Sequence, residues 1–256
     1  PATAAATSAP AAQQTFRLAK SIETPIVESP RAPLAGPAKP SPAKSAAIVP
    51  SRAEDAPKVE RRDRLSTPAE RAENEFRYAA AVLKLGRAAE AESHFAKALE
   101  LDAGHRGARQ ALVAMRLERG ELDSAQRLLE EGLERDAAQP DFAVALARIH
   151  IERQDLPAAL AALDGAAAGA ADTPELQLLR GTVLQRLGRQ SDAAEAYRAA
   201  LRRQPALPPA WIGLGISLEA LHQRREAADA FRQALAAGPV NPDVRAFAEQ
   251  RIQALR

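Results

Sequence analysis

No cysteine occurs among the 256 residues. That excludes a disulfide framework, a thiol nucleophile and any cysteine-based metal site. Aromatic residues make up only 4%, so a core must come from thin, closely packed elements rather than large rings. Neither sign of charge dominates. The 35 Lys and Arg face 33 Asp and Glu, which argues against a dedicated nucleic-acid binder. No run of about 18 apolar residues is present, so no segment of this chain is expected to span a membrane. A signal-peptide pattern of basic, apolar and small residues is missing as well. The chain begins at Pro1; if the native protein is anchored or exported, the element responsible is expected upstream of it.

What is present divides near residue 66. Residues 1–65 hold 16 Ala, 10 Pro and 6 Ser. Each proline removes a backbone donor and restricts the residue before it, which prevents a persistent helix or central strand. Scattered apolar side chains cannot offset the entropy of ordering such a segment. Residues 1–65 are therefore expected to be a disordered Pro/Ala-rich linker, reaching about 45 Å as a coil. Within it, Phe16, Leu18, Ile22, Ile26 and Val27 fall within a dozen residues. They are either a short docking motif or ordinary linker composition.

Residues 66–256 read as one folded domain. Thr67, Pro68 and Glu70 form a helix start: a capping hydroxyl, proline at the first helical position and a carboxylate three residues after the cap. Self-similarity then sets the frame. Pro140, Pro174, Pro208 and Pro242 recur every 34 residues. Ala91, Ala125, Ala159, Ala193 and Ala227 keep the same spacing, as do the bulky residues Phe95, Leu129, Leu163, Tyr197 and Phe231. Gly86, Gly120 and Gly188 share the position that ends a first helix, where a left-handed residue is needed. The repeats are 72–105, 106–139, 140–173, 174–207 and 208–241, and Val244, Phe247, Ala248, Ile252 and Leu255 mark a capping helix over 242–256. A terminal cap of this kind covers the open end of a repeat array.

The pattern resembles the tetratricopeptide repeat, a 34-residue helix–turn–helix unit. Repeat 208–241 carries the match best, with Trp211, Leu214, Gly215, Ala227, Phe231, Ala234 and Pro239 in signature positions. The resemblance implies an all-α solenoid of eleven helices, wound as a right-handed superhelix, with the first helix of each repeat lining a concave face.

No catalytic constellation is evident. His94, His105, His150 and His222 fall at unrelated repeat positions and lack metal-ligand spacing. Gly213-Leu214-Gly215 lies within a helix with no strand before it, which excludes a dinucleotide loop. Paired acids such as Glu130-Glu131 read as solvated helix faces. No enzyme activity, cofactor or metal is expected.

Members of the resembled family bind partners through first-helix positions. Counted from the first residue of each repeat, position 5 holds Phe76, Gln110, Val144, Leu178 and Ile212. Position 9 holds Ala80, Ala114, Arg148, Thr182 and Ile216, and position 12 holds Leu83, Leu117, Ile151, Gln185 and Glu219. Phe76 and Ala80 stand where a chaperone-binding carboxylate clamp needs Lys and Asn. The groove is apolar at one end, with Arg148 and Arg186 as isolated cations. It suits an amphipathic helix or an extended apolar peptide.

The stretch Ala210–Leu221, followed by Arg245-Ala246-Phe247-Ala248-Glu249-Gln250-Arg251-Ile252, is similar to the end of MshN-type proteins of MSHA (mannose-sensitive haemagglutinin) pilus biogenesis. The layout of linker, degenerate repeats and well-kept last repeat is similar too. That resemblance implies a scaffold of a type IV pilus-like machine. It would lie on the periplasmic face of the bacterial inner membrane, held by an anchor upstream of this chain and bound to pilus assembly proteins. Two other readings stay open: a docking region of a larger envelope enzyme such as a glycosyltransferase, and a cytosolic adaptor. Charge divides with the domains. Residues 1–65 hold 10 Lys and Arg against 6 Asp and Glu, leaving 25 against 27 for the remainder.

Overall fold

A computed structural model describes residues 67–167 and 172–256. The proposed linker, with its Phe16–Val27 cluster, lies outside the described residues. Eleven helices run through the described part: α1 Pro68–Lys84, α2 Ala88–Leu101, α3 Arg106–Glu118, α4 Leu122–Arg135, α5 Pro140–Glu152, α6 Leu156–Ala167, α7 Pro174–Arg186, α8 Gln190–Arg203, α9 Pro208–Ala220, α10 Arg224–Ala236 and α11 Pro242–Ala254. No strand occurs among the described residues.

The helix starts follow the local chemistry. Thr67 Oγ1 accepts from the Glu70 amide at 3.2 Å, and Glu70 Oε2 accepts from the Thr67 amide at 2.8 Å, a reciprocal capping box. Proline opens α5, α7, α9 and α11, where its missing N–H has no helical partner in any case. Thr173 caps α7, and Asn241 caps α11 through the amides of Asp243 and Val244. His105 caps α3, its Nδ1 accepting from the Ala108 amide at 3.1 Å.

The turn inside each repeat needs one left-handed residue. Gly86, Gly120 and Gly188 supply it at φ 76°, 72° and 78°. In the same column stand Gln154 at φ 64° and His222 at φ 61°. A side chain costs roughly 1–2 kcal/mol there, partly offset because glycine loosens the unfolded chain. His222→Gly is therefore expected to stabilise the domain by about 0.5–1 kcal/mol, which thermal unfolding would read as a rise of about 2 °C. A lower melting temperature would refute it.

Packing explains the other columns. Ala91, Ala125, Ala159, Ala193 and Ala227 are all 0% exposed. The bulky column beside them is buried throughout, from Phe95 to Phe231. Each bulky ring needs a gap in a neighbouring backbone. A Cβ on Gly181 would stand 2.7 Å from the Tyr197 ring, and one on Gly213, in the next repeat, would be closer still. Gly215 leaves the same space for Phe231. Tyr197 thus sits between its own repeat and the following one.

The core of the described residues is segmented, as expected where each repeat contacts only its neighbours. One cluster joins α1, α2 and α3 from Ala72 to Met115. A second holds Val113, Ala125, Leu129, Phe142, Leu146 and Ile149. The third runs from Ala143 to Ala248 and takes in the last three repeats and α11. The α11 stripe divides as its spacing predicts. Val244 and Ala248 are fully buried, Phe247, Ile252 and Leu255 pack against the cluster, and Arg245, Glu249 and Arg256 face outwards.

Candidate partner-binding face

Side chains tie each first helix to the next. Arg106 of α3 pairs with Asp141 of α5 at 2.6 Å, and Arg148 of α5 with Glu175 of α7 at 3.1 Å. Arg186 at the end of α7 donates to Gln154, just beyond α5, at 3.1 Å. Arg251 of α11 pairs with Glu219 of α9. The two arginines expected as isolated cations are therefore engaged with neighbouring repeats: acidic and amide side chains recur one repeat away, within reach. Arginine Arg186 is partly buried, and that desolvation lowers its pKa from the usual value.

The sixteen candidate residues separate by depth. Leu83, Gln110, Ala114, Leu117 and Arg148 are exposed. Phe76, Ala80, Leu178, Thr182, Arg186, Ile216 and Glu219 are half-buried. Val144, Ile151, Gln185 and Ile212 are buried, at 6%, 6%, 3% and 3% exposure. These four were expected to line the groove, and the structure places them beneath it. Val144, Ile151 and Ile212 belong to the core cluster of the last three repeats, because adjacent first helices pack directly on one another there.

Gln185 is buried for a polar reason. Its Nε2 donates to the Gly213 carbonyl at 3.1 Å and to Ser217 Oγ at 2.8 Å, bridging α7 to α9. The Tyr197 hydroxyl lies 3.4 Å from both Gln185 Oε1 and Thr182 Oγ1. Burial pushes the Tyr197 phenol well above its ordinary pKa, so it remains a neutral donor. A buried glutamine, serine and tyrosine satisfying one another favour a single register between repeats. Nothing in the 34-residue spacing marks this network in advance.

The apolar end of the face is the part left open. Leu83 and Leu117, at the same position of the first two repeats, are 39% and 37% exposed. Ala114 lies exposed one turn before Leu117. Leu85, two residues beyond Leu83 and just before the left-handed Gly86, is 73% exposed. Sequence reasoning passed over Leu85; its signal is a leucine at the helix end, where no following helix covers it. Near the start of α1, away from these leucines, Glu73 accepts from Arg77 and His105, and those bonds hold its carboxyl below the usual range. His94 and Lys97 hold Glu75 in the same way. Two of the four histidines thus brace α1. Among the described residues, no His, Asp and Glu group could hold a metal ion, and no helix is long and apolar enough to cross a membrane.

Models of the tetratricopeptide repeat match residues 82–143 and 116–182, and a further such model matches 174–217. With the helix pairs and their 34-residue register, that decides the family. These helix pairs are tetratricopeptide repeats. Solved structures with the same fold include YrrB, described as a tetratricopeptide-repeat protein with an unusual peptide-binding site, at 18% identity and TM-score 0.57; the match covers 70% of this chain and 92% of that one. MamA matches at 21% identity and TM-score 0.56, over 66% of this chain and 92% of that one. PilF of Pseudomonas aeruginosa matches at 16% identity and TM-score 0.56, over 73% and 90%. No curated protein matches the sequence. Tetratricopeptide-repeat domains are protein-interaction scaffolds, and this chain has their architecture. Much of the Ala210–Leu221 stretch serves that architecture: Ala210, Ile212, Gly213, Leu214, Gly215, Ser217 and Leu218 are all buried in α9.

Proposed function

We propose that this tetratricopeptide-repeat protein is a non-enzymatic scaffold that holds a partner protein or peptide on its first-helix face, at the end formed by the first two repeats. The observation that carries the reading is the exposed pair Leu83 and Leu117, at the same position of successive repeats, with Ala114 exposed one turn before Leu117. Apolar side chains left open at one position of successive repeats offer a partner a row of contacts. The ligand it suits is an amphipathic helix or an extended apolar segment, seated by apolar side chains spaced to match the repeats.

The setting we propose is pilus assembly of the MSHA type, on the periplasmic face of the inner membrane, with an anchor upstream of Pro1. The support is the similarity of Ala210–Leu221 and Arg245–Ile252 to MshN-type proteins. The shared fold with PilF is compatible with it. The partner would then be another assembly protein.

Leu83→Glu combined with Leu117→Glu tests the face. Both side chains are already in contact with water, so the fold should be kept. Capture of the partner from detergent-solubilised membranes of the source cells should fall by about tenfold or more. Capture unchanged by the pair would remove the face from the proposal. Partners drawn only from unrelated cytosolic complexes would overturn the setting.

A further inference from the structure

The outer surface of α6 departs from that of its counterparts. At position 22 of the repeat, the other second helices carry Ser93, Arg127, Glu195 and Asp229, whereas α6 carries Ala161. At position 26, three of the other four carry Lys97, Glu131 and Gln233, whereas α6 has Gly165. Both Ala161 and Gly165 are exposed, and a Cβ on Gly165 would meet nothing within 4 Å. Between α6 and α4 lies an open cleft of about 370 Å³, lined by the buried Leu146 and Ala166, by Leu133 and Ala162, and by Glu130 and Glu134. Gln126 donates to Glu130 at 2.7 Å, but neither glutamate is in an ion pair among the described residues.

We propose that this cleft is the docking site of the chain's own segment Gln14–Ile22. The segment carries three apolar side chains, Phe16, Leu18 and Ile22, and two cations, Arg17 and Lys20, with no acid among them. The apolar groups match the apolar lining and the cations match the two carboxylates beside it. The charge balance favours this occupant over a second folded copy. The basic surplus lies in residues 1–65, with 10 Lys and Arg against 6 Asp and Glu, while the repeats carry 25 against 27. The tether also suffices. The 44 residues between Ile22 and Thr67 could span at most roughly 145–160 Å. Helices packed 8–10 Å apart put α6 about 20–30 Å along the stack from the start of α1. Joining segment and cleft in one chain raises their effective concentration, so even a weak site is filled in cis.

The absence of cysteine makes the test direct. In the full chain, Ser21→Cys is paired with Ala161→Cys in one variant and with Glu195→Cys, the same repeat position one repeat later, in another. Disulfide formation is expected to be at least tenfold faster with Ala161→Cys. Adding Phe16→Asp and Leu18→Asp should bring the two rates together, and Glu130→Lys with Glu134→Lys should reduce the ratio several-fold. Equal rates in the parent pair would overturn the proposal. So would a ratio that survives the loss of Phe16 and Leu18, or one unchanged by reversing the glutamates. Disulfides formed mainly between chains at low concentration would assign the cleft to a second copy and overturn docking in cis.

Discussion

Replacing Tyr197 by Ala is expected to destabilise the repeats by about 4 kcal/mol, the scale of deleting a buried aromatic ring. The ring is 1% exposed and fills the space left by Gly181 on one side and Gly213 on the other. Neither glycine can move in to close the gap, because each is held in the middle of a helix. The hydroxyl contributes far less. Its two contacts are 3.4 Å long, at the outer limit for a useful hydrogen bond. Tyr197→Phe should therefore cost under about 1 kcal/mol. Denaturant titration of the two variants checks the split. If both variants lost the same stability, the hydroxyl network rather than the wedge would hold the last two repeats together. Hydrogen exchange should show the loss of Tyr197 concentrated in α7, α8 and α9, since coupling along a solenoid passes between neighbours.

Arg109→Ala is expected to cost about 3 kcal/mol. The side chain of Arg109 is buried in the second repeat, where a charged group survives only if its donors are met. They are met by backbone. Nη1 donates to the Leu128 carbonyl at 3.0 Å and Nη2 to the Ala103 carbonyl at 2.9 Å. Each such bond from a charged donor is worth about 1.5–3 kcal/mol. The ion pair to Glu131, also at 3.0 Å, adds little, because Glu131 is 60% exposed and water screens it. Glu131→Gln should accordingly change stability by no more than about 0.5 kcal/mol. Arg109→Met, which keeps the packing and removes the donors, should fall between the two. A Glu131→Gln loss as large as that of Arg109→Ala would show that the ion pair, not the carbonyl bonds, holds the residue in place.

Arg109 also shows where periodicity stops informing. It stands at position 4 of its repeat, where Gln177 in the fourth repeat is likewise buried. An arginine on a helix is read from sequence as a solvated face. It is drawn inside here because the carbonyls of Ala103 and Leu128 come within its reach. Gln185 is the same case on the candidate face. Its position in the repeat placed it among ligand contacts, and its neighbours in α9 took it into the core instead. Leu83 and Leu117 share that repeat position and stay at the surface, 39% and 37% exposed.

The sequence by itself determined the period, the number of helices and most of their ends. Those features depend on residues acting locally: a proline without a donor, a threonine hydroxyl accepting from a free amide, a glycine at positive φ. It also determined which residues fill the joints, because a bulky side chain recurring every 34 residues opposite alanine or glycine has only one place to go. Only the tertiary structure decided which first-helix residues remain on the surface and which polar groups are satisfied within. Exposure depends on how closely one repeat settles on the next, and that distance is set by side chains 28 to 35 residues apart meeting in space. No local pattern records it.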